Sequence, residues 1–120
     1  MKILVCEDDE VVLKVIKVAL EEDNFEVKIA RDGNQGLKLL TENPDFDLII
    51  TDIHMPHRNG DEILTQVRKL ERKTTPIIMI SSDSDEDVVR LALRLGVNEF
   101  MAKPINPEMV KKKVRKLLKF

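Results

Sequence analysis

Four short apolar runs, each stopped by a polar residue of a different chemical kind, constrain this chain more than anything else in it. Ile3-Leu4-Val5-Cys6 stops at Glu7-Asp8, and Leu48-Ile49-Ile50-Thr51 stops at Asp52. Ile77-Ile78-Met79-Ile80 stops at Ser81-Ser82, and Phe100-Met101-Ala102 stops at Lys103-Pro104. Runs of this length and character suit buried parallel strands. The carboxyl ends of such strands lie along one edge, where open α/β sheets carry their sites. That edge would hold three carboxylates, a hydroxyl and an ammonium, a set suited to one hard cation and one phosphoryl group.

Between the runs the spacing turns helical. Val12, Val15, Ile16 and Ala19 follow the first run, and Phe25-Glu26-Val27-Lys28-Ile29 is the next strand. A helix from Asp32 through Leu37 and Leu40 is closed by Asn43-Pro44, because proline cannot continue it. The turn-rich Met55-Pro56-His57-Arg58-Asn59-Gly60 leads into a helix with Ile63, Leu64, Val67 and Leu70 on one face. Pro76 opens the fourth strand. Ser84 or Asp85 caps a helix carrying Val88, Val89, Ala92, Leu93 and Leu95, which Gly96 ends.

A fifth strand covers about residues 98–101, and the last helix starts near Asn106-Pro107 and buries Val110, Val114, Leu117 and Leu118. The expected fold is α/β, (βα)5: a doubly wound, five-stranded parallel sheet with helices on both faces. Glu7 and Asp8 can meet Asp52 if strands 1 and 3 are neighbours at a switch point, and the strand order 2-1-3-4-5 rests on that inference. Gly36 falls inside the second helix, where it should cost about 1 kcal/mol relative to Ala; nothing in the sequence accounts for it.

A chain of 120 residues fits one domain, spanning 1–120, with four Phe and no Trp or Tyr, so its core must be aliphatic. The net charge of −2 argues against non-specific nucleic-acid binding. The single cysteine, Cys6, cannot form an internal disulfide and reads as a small buried hydrophobe. The acidic cluster comes too soon for a signal-peptide core, and no apolar stretch nears the ~20 residues of a membrane span. The expected location is cytoplasmic.

Three carboxylates gathered at an edge repel one another, and a divalent cation removes the conflict. Oxygen-only ligands beside a phosphate favour Mg²⁺ over Zn²⁺, with Mn²⁺ as a substitute. One carboxylate is then free to attack phosphorus. Each residue alone has a plainer reading: Glu7 and Asp8 as acids in a first helical turn, Asp52 as a turn residue, Lys103 as a solvated charge. The conjunction of four strand ends carries the argument.

These residues resemble those of the receiver domains of two-component response regulators, and the resemblance runs from end to end. It rests on Ile3-Leu4-Val5-Cys6-Glu7-Asp8-Asp9, Ala30-Arg31-Asp32-Gly33, residues 47–56 with Gly60, residues 76–81 and Lys103-Pro104. The resemblance implies a flavodoxin-like fold with Asp52 as phosphoacceptor for a histidine kinase. Asp8, Asp52 and the backbone carbonyl of His54 would bind Mg²⁺, with Glu7 holding metal-bound water. Ser81 would bond the phosphoryl group, Lys103 would pair with it, and Phe100 would be the switch aromatic. The Lys103–Pro104 peptide is cis in similar proteins.

His54 and Asp83, each two residues beyond a site residue, are expected to set the lifetime of the acyl phosphate. Two departures stand out: Glu7 replaces the usual first Asp, and Phe100 replaces a frequent Tyr. Output is expected at the face of the fourth helix, fifth strand and fifth helix, towards a target protein or a second copy, with DNA disfavoured. The basic residues Lys111, Lys112, Lys113, Arg115 and Lys116 favour an acidic partner there. The rival reading is a phosphatase or phosphotransferase working through phosphoaspartate. It needs a carboxyl two residues after the nucleophile, where this chain has His54.

Overall fold

The computed structural model describes residues 1–43, 45–53, 63, 65–70, 74–81, 87, 90, 93–94 and 96–118. Five parallel strands, β1 (Lys2–Cys6), β2 (Glu26–Ala30), β3 (Leu48–Asp52), β4 (Ile77–Ser81) and β5 (Glu99–Ala102), form one sheet in the order β2-β1-β3-β4-β5. This is the predicted order. β3 and β4 are buried along their whole length because helices cover both faces. Asp52 and Ser81 are the last residues of their strands rather than the first residues of the loops, so the ladder itself holds their backbones. β2 and β5 each begin one residue later than the sequence suggests, and Phe25 is a buried residue ahead of β2.

Strand alternation divides the apolar residues into two layers. Ile3, Val5, Leu48, Ile50, Ile78 and Ile80 pack on α1 (Glu10–Glu22) and the C-terminal helix (Pro107–Leu118), through Leu13, Ile16, Leu20, Val110 and Val114. Leu117 and Leu118 are only half-buried there. Leu4, Cys6, Ile49, Ile77 and Met79 face the other way, towards Leu40 of α2 (Gly33–Glu42), Ile63 and Val67. Gln66–Leu70 is wound as a π-helical turn. Leu93 is exposed.

The three described α-helix starts each have a local cause. Asp9, rather than Glu7 or Asp8, caps α1, its carboxylate accepting the N–H groups of Val11 and Val12. Asp32 caps α2 through the N–H of Gln35, and Asn106 accepts from the Met109 N–H at the C-terminal helix. Gly96 turns the chain ahead of β5 at φ +103°, a region that disfavours side chains. Gly36 finds its explanation in packing: a Cβ there would lie 3.0 Å from both Cys6 Sγ and Ile63 Cδ1. The missing side chain lets α2 approach the sheet closely, a constraint between segments distant in sequence.

Candidate functional site

The β1–β3 pairing brings the acids together. Register matches Cys6 with Thr51, so Glu7 and Asp8 leave β1 beside Asp52 at the end of β3. Carboxylate oxygens of Glu7, Asp8 and Asp52 all lie within 4.8 Å of one another. Glu7 is 0% exposed and Asp52 4% exposed, while Asp8 faces solvent. The site is therefore half inside and half outside the fold, open on the Asp8 side.

Lys103 supplies the opposing charge. Its Nζ donates to Asp52 Oδ2 at 2.7 Å and to Glu7 Oε1 at 3.3 Å. The Lys103 backbone N–H bonds Ser81 O at 2.9 Å, and the Lys103–Pro104 peptide is cis, as expected. Partial burial pulls the Lys103 ammonium down, but Asp52 and Glu7 outweigh it and hold its pKa above the ordinary value.

Glu7 is the most strained member electrostatically. Its backbone N–H bonds Ala30 O, and its Oε1 accepts the Asp9 N–H at 3.0 Å. Its Oε2 is buried with no hydrogen-bond donor among the described residues. Burial, reinforced by the Asp52 carboxylate, pushes the Glu7 pKa up to about 8. A buried oxygen lacking a donor, beside two further carboxylates, is the donor set of a hard cation, and these residues fit one. One ammonium cannot satisfy three carboxylates.

Ser81 ends β4 fully buried, on the strand next to Asp52, with Asp52 paired to Ile80. Phe100 lies within β5, half-buried against the Cys6–Met79 layer rather than in the acid cluster. His54 and Asp83 fall outside the described residues. Two contributors were not anticipated from the sequence: the Asp9 N–H that fixes Glu7, and the second Lys103 contact, to Glu7 itself. The first was legible as a cap position directly after the acid pair; the second had no local signal.

Comparison with known proteins fits this geometry. The chain is 36% identical over 118 residues to the response regulator ArlR of Staphylococcus saprophyticus, covering 98% of this chain and 52% of ArlR. It is 35% identical over 120 residues to a chemotaxis protein CheY homolog of Campylobacter jejuni, covering 98% of this chain and 92% of that protein. The chain thus spans about half the length of the first and nearly all of the second. Among solved structures, the receiver domain of the Francisella response regulator 1452 superposes with a TM-score of 0.90 at 30% identity, covering 98% of this chain and 96% of that one. The response regulator receiver domain family matches residues 3–115, so the acid cluster, Lys103 and all of the five-stranded sheet but Lys2 lie within the match, and this chain belongs to that family of two-component signalling domains.

Proposed function

We propose that residues 1–120 form a regulatory phosphoacceptor unit, in which Asp52 takes phosphate from a histidine kinase or phosphotransfer protein in the cytoplasm. The observation that carries this reading is the convergence of Glu7, Asp8 and Asp52 carboxylate oxygens within 4.8 Å of one another, with the Lys103 ammonium paired to Glu7 and Asp52. Asp8, Asp52 and the backbone carbonyl of His54 would hold Mg²⁺ or Mn²⁺, with Glu7 in support. When bound, the cation offsets negative charge on the transferred phosphoryl group.

The chain's own residues do the rest. An Asp52 carboxylate oxygen forms the new bond to phosphorus as the donor's bond to phosphorus breaks, leaving an acyl phosphate. Lys103, already bonded to Asp52, shares its charge with the phosphoryl oxygens. Ser81 donates its hydroxyl to one of them and Phe100 turns inward, which biases the face of the fourth helix, β5 and the C-terminal helix for an output protein or a second copy. His54 and Asp83 flank the path of the hydrolytic water and set the lifetime of the phosphorylated form. Sustained turnover, as in a phosphatase or phosphotransferase, has no supporting observation.

Intact-mass measurement after incubation with acetyl phosphate tests the reading. One phosphate is expected on the wild type with Mg²⁺. None is expected on Asp52→Asn or in excess chelator. Undiminished labelling of either would refute it.

A further inference from the structure

β5 is tethered by charge at both of its ends. Lys103, just past its carboxyl end, is bonded to the phosphoacceptor Asp52. Glu99, its first residue, is bonded to the C-terminal helix: Oε1 accepts Lys113 Nζ at 2.9 Å and Oε2 accepts Lys116 Nζ at 3.1 Å. Lys113 and Lys116 are three residues apart and so share one helical face. Oε1 also lies 3.4 Å from the donating N–H of Phe100. The Glu99 side chain is only 17% exposed, against 31% for Lys113 and 69% for Lys116. A carboxylate sheltered to that degree and gripped by two ammoniums restrains the backbone at the residue that must move.

We infer that the Glu99–Lys113–Lys116 cluster is a lock, which holds β5 against the C-terminal helix in the unphosphorylated chain and, through the shared backbone of Glu99 and Phe100, restrains Phe100 on the opposite face of the sheet and opposes the switched conformation. The inference rests on the phosphoacceptor reading above. The two charged ends of β5 are about 13 Å apart at the rise of an extended strand. Lys103 changes partner when Asp52 is phosphorylated, so one end of the strand is reset by the phosphoryl group. The other end stays fixed until the lysines release Glu99. A ligand shifts such an equilibrium only by its differential affinity, and its apparent affinity scales with the fraction of chains already competent. Weakening the lock raises that fraction. The response to phosphate is then tuned by three side chains that never touch it.

The test is an NMR titration of the full chain with beryllofluoride and Mg²⁺, following the Glu99 and Phe100 amides, for wild type, Glu99→Gln, Lys113→Gln/Lys116→Gln and the triple variant. Each of the first two variants should lower the beryllofluoride midpoint by about threefold to tenfold, and the triple variant should add nothing further, as for partners in one cluster. A merely structural cluster would lower thermal stability while leaving the midpoint in place. Midpoints that are unchanged or raised, or effects that add in the triple variant, overturn the lock. A wild type that fails to respond to beryllofluoride overturns the phosphoacceptor reading, and the lock with it.

Discussion

The two ends of the sheet handle charge in opposite ways. At the amino end, Lys2 Nζ donates to Asn43 Oδ1 and Asp45 Oδ1, each at 3.0 Å, and sits 5.3 Å from the centroid of the Phe46 ring. Arg68 reaches the carbonyls of Gly96 at 3.2 Å and Thr75 at 2.7 Å, and Asn98 Oδ1 at 2.7 Å. That same Asn98 oxygen accepts the Ile77 N–H, so one network pins the starts of β4 and β5. At the carboxyl end, three carboxylates crowd within 4.8 Å, Lys103 pairs with only Glu7 and Asp52, and Glu7 Oε2 is buried without a donor among the described residues. Satisfied polar networks add rigidity, whereas unsatisfied ones cost stability and mark where a ligand completes the set. Polarity alone does not separate the two ends. Satisfaction does.

The sharpest way to break this comparison is to remove the central cation from each end. Lys103→Met should slow labelling by acetyl phosphate about 100-fold or more, the scale for losing a preorganised charge partner. Arg68→Met should leave the labelling rate within about twofold, because no reacting atom depends on it. Equal losses in the two variants would mean that the site is not localised at the carboxyl end.

Stability should respond the other way round. Arg68→Ala removes charged hydrogen bonds to partly buried acceptors and should lower unfolding free energy by about 2 kcal/mol, read by chemical denaturation. The carbonyls of Thr75 and Gly96 and the Asn98 amide oxygen would each lose a donor. An unchanged denaturation midpoint would remove the structural role assigned to this network.

The smallest expected effect concerns Glu7. Its pKa is raised on folding to about 8, so between the ordinary carboxylate range and that value the metal-free native state holds a proton that the unfolded chain has lost. Stability therefore falls as pH rises through this window. The Lys103 shift does not reverse the sign, since a raised ammonium pKa keeps its contribution intact until pH passes above it. Glu7→Gln should flatten the decline and stabilise the metal-free protein by about 1 kcal/mol near neutral pH, while weakening Mg²⁺ binding. Thermal melts across pH, with Mg²⁺ and with chelator, decide the matter; a wild-type melting temperature that rises with pH in chelator would contradict it.

Much of this was legible in the chain because its causes are local. Apolar runs announced the strands, Asn43-Pro44 and Gly96 announced helix ends, and acids at the ends of two runs announced the candidate cation site. Strand order could be inferred because only the β1–β3 neighbourhood joins Glu7 and Asp8 to Asp52. The N-cap of α1 went to Asp9, since Glu7 and Asp8 lie ahead of the helix at the strand edge. Other features were decided by tertiary structure alone. Gly36 is accommodated against Cys6 and Ile63, and Lys103 reaches Glu7 across 96 positions of sequence.

The C-terminal basic stripe shows the same limit. Read as sequence, it is a basic helix face that favours an acidic partner, or one that simply solvates a helix end and favours its dipole. In the fold, Lys111 meets Glu22, Arg115 meets Asp23, and Lys113 and Lys116 share Glu99, so most of that charge is answered within the chain. Periodicity and capping are set by a residue's near neighbours and survive in the sequence. Charge pairing between segments depends on which helix lands beside which strand, and only the folded chain determines that.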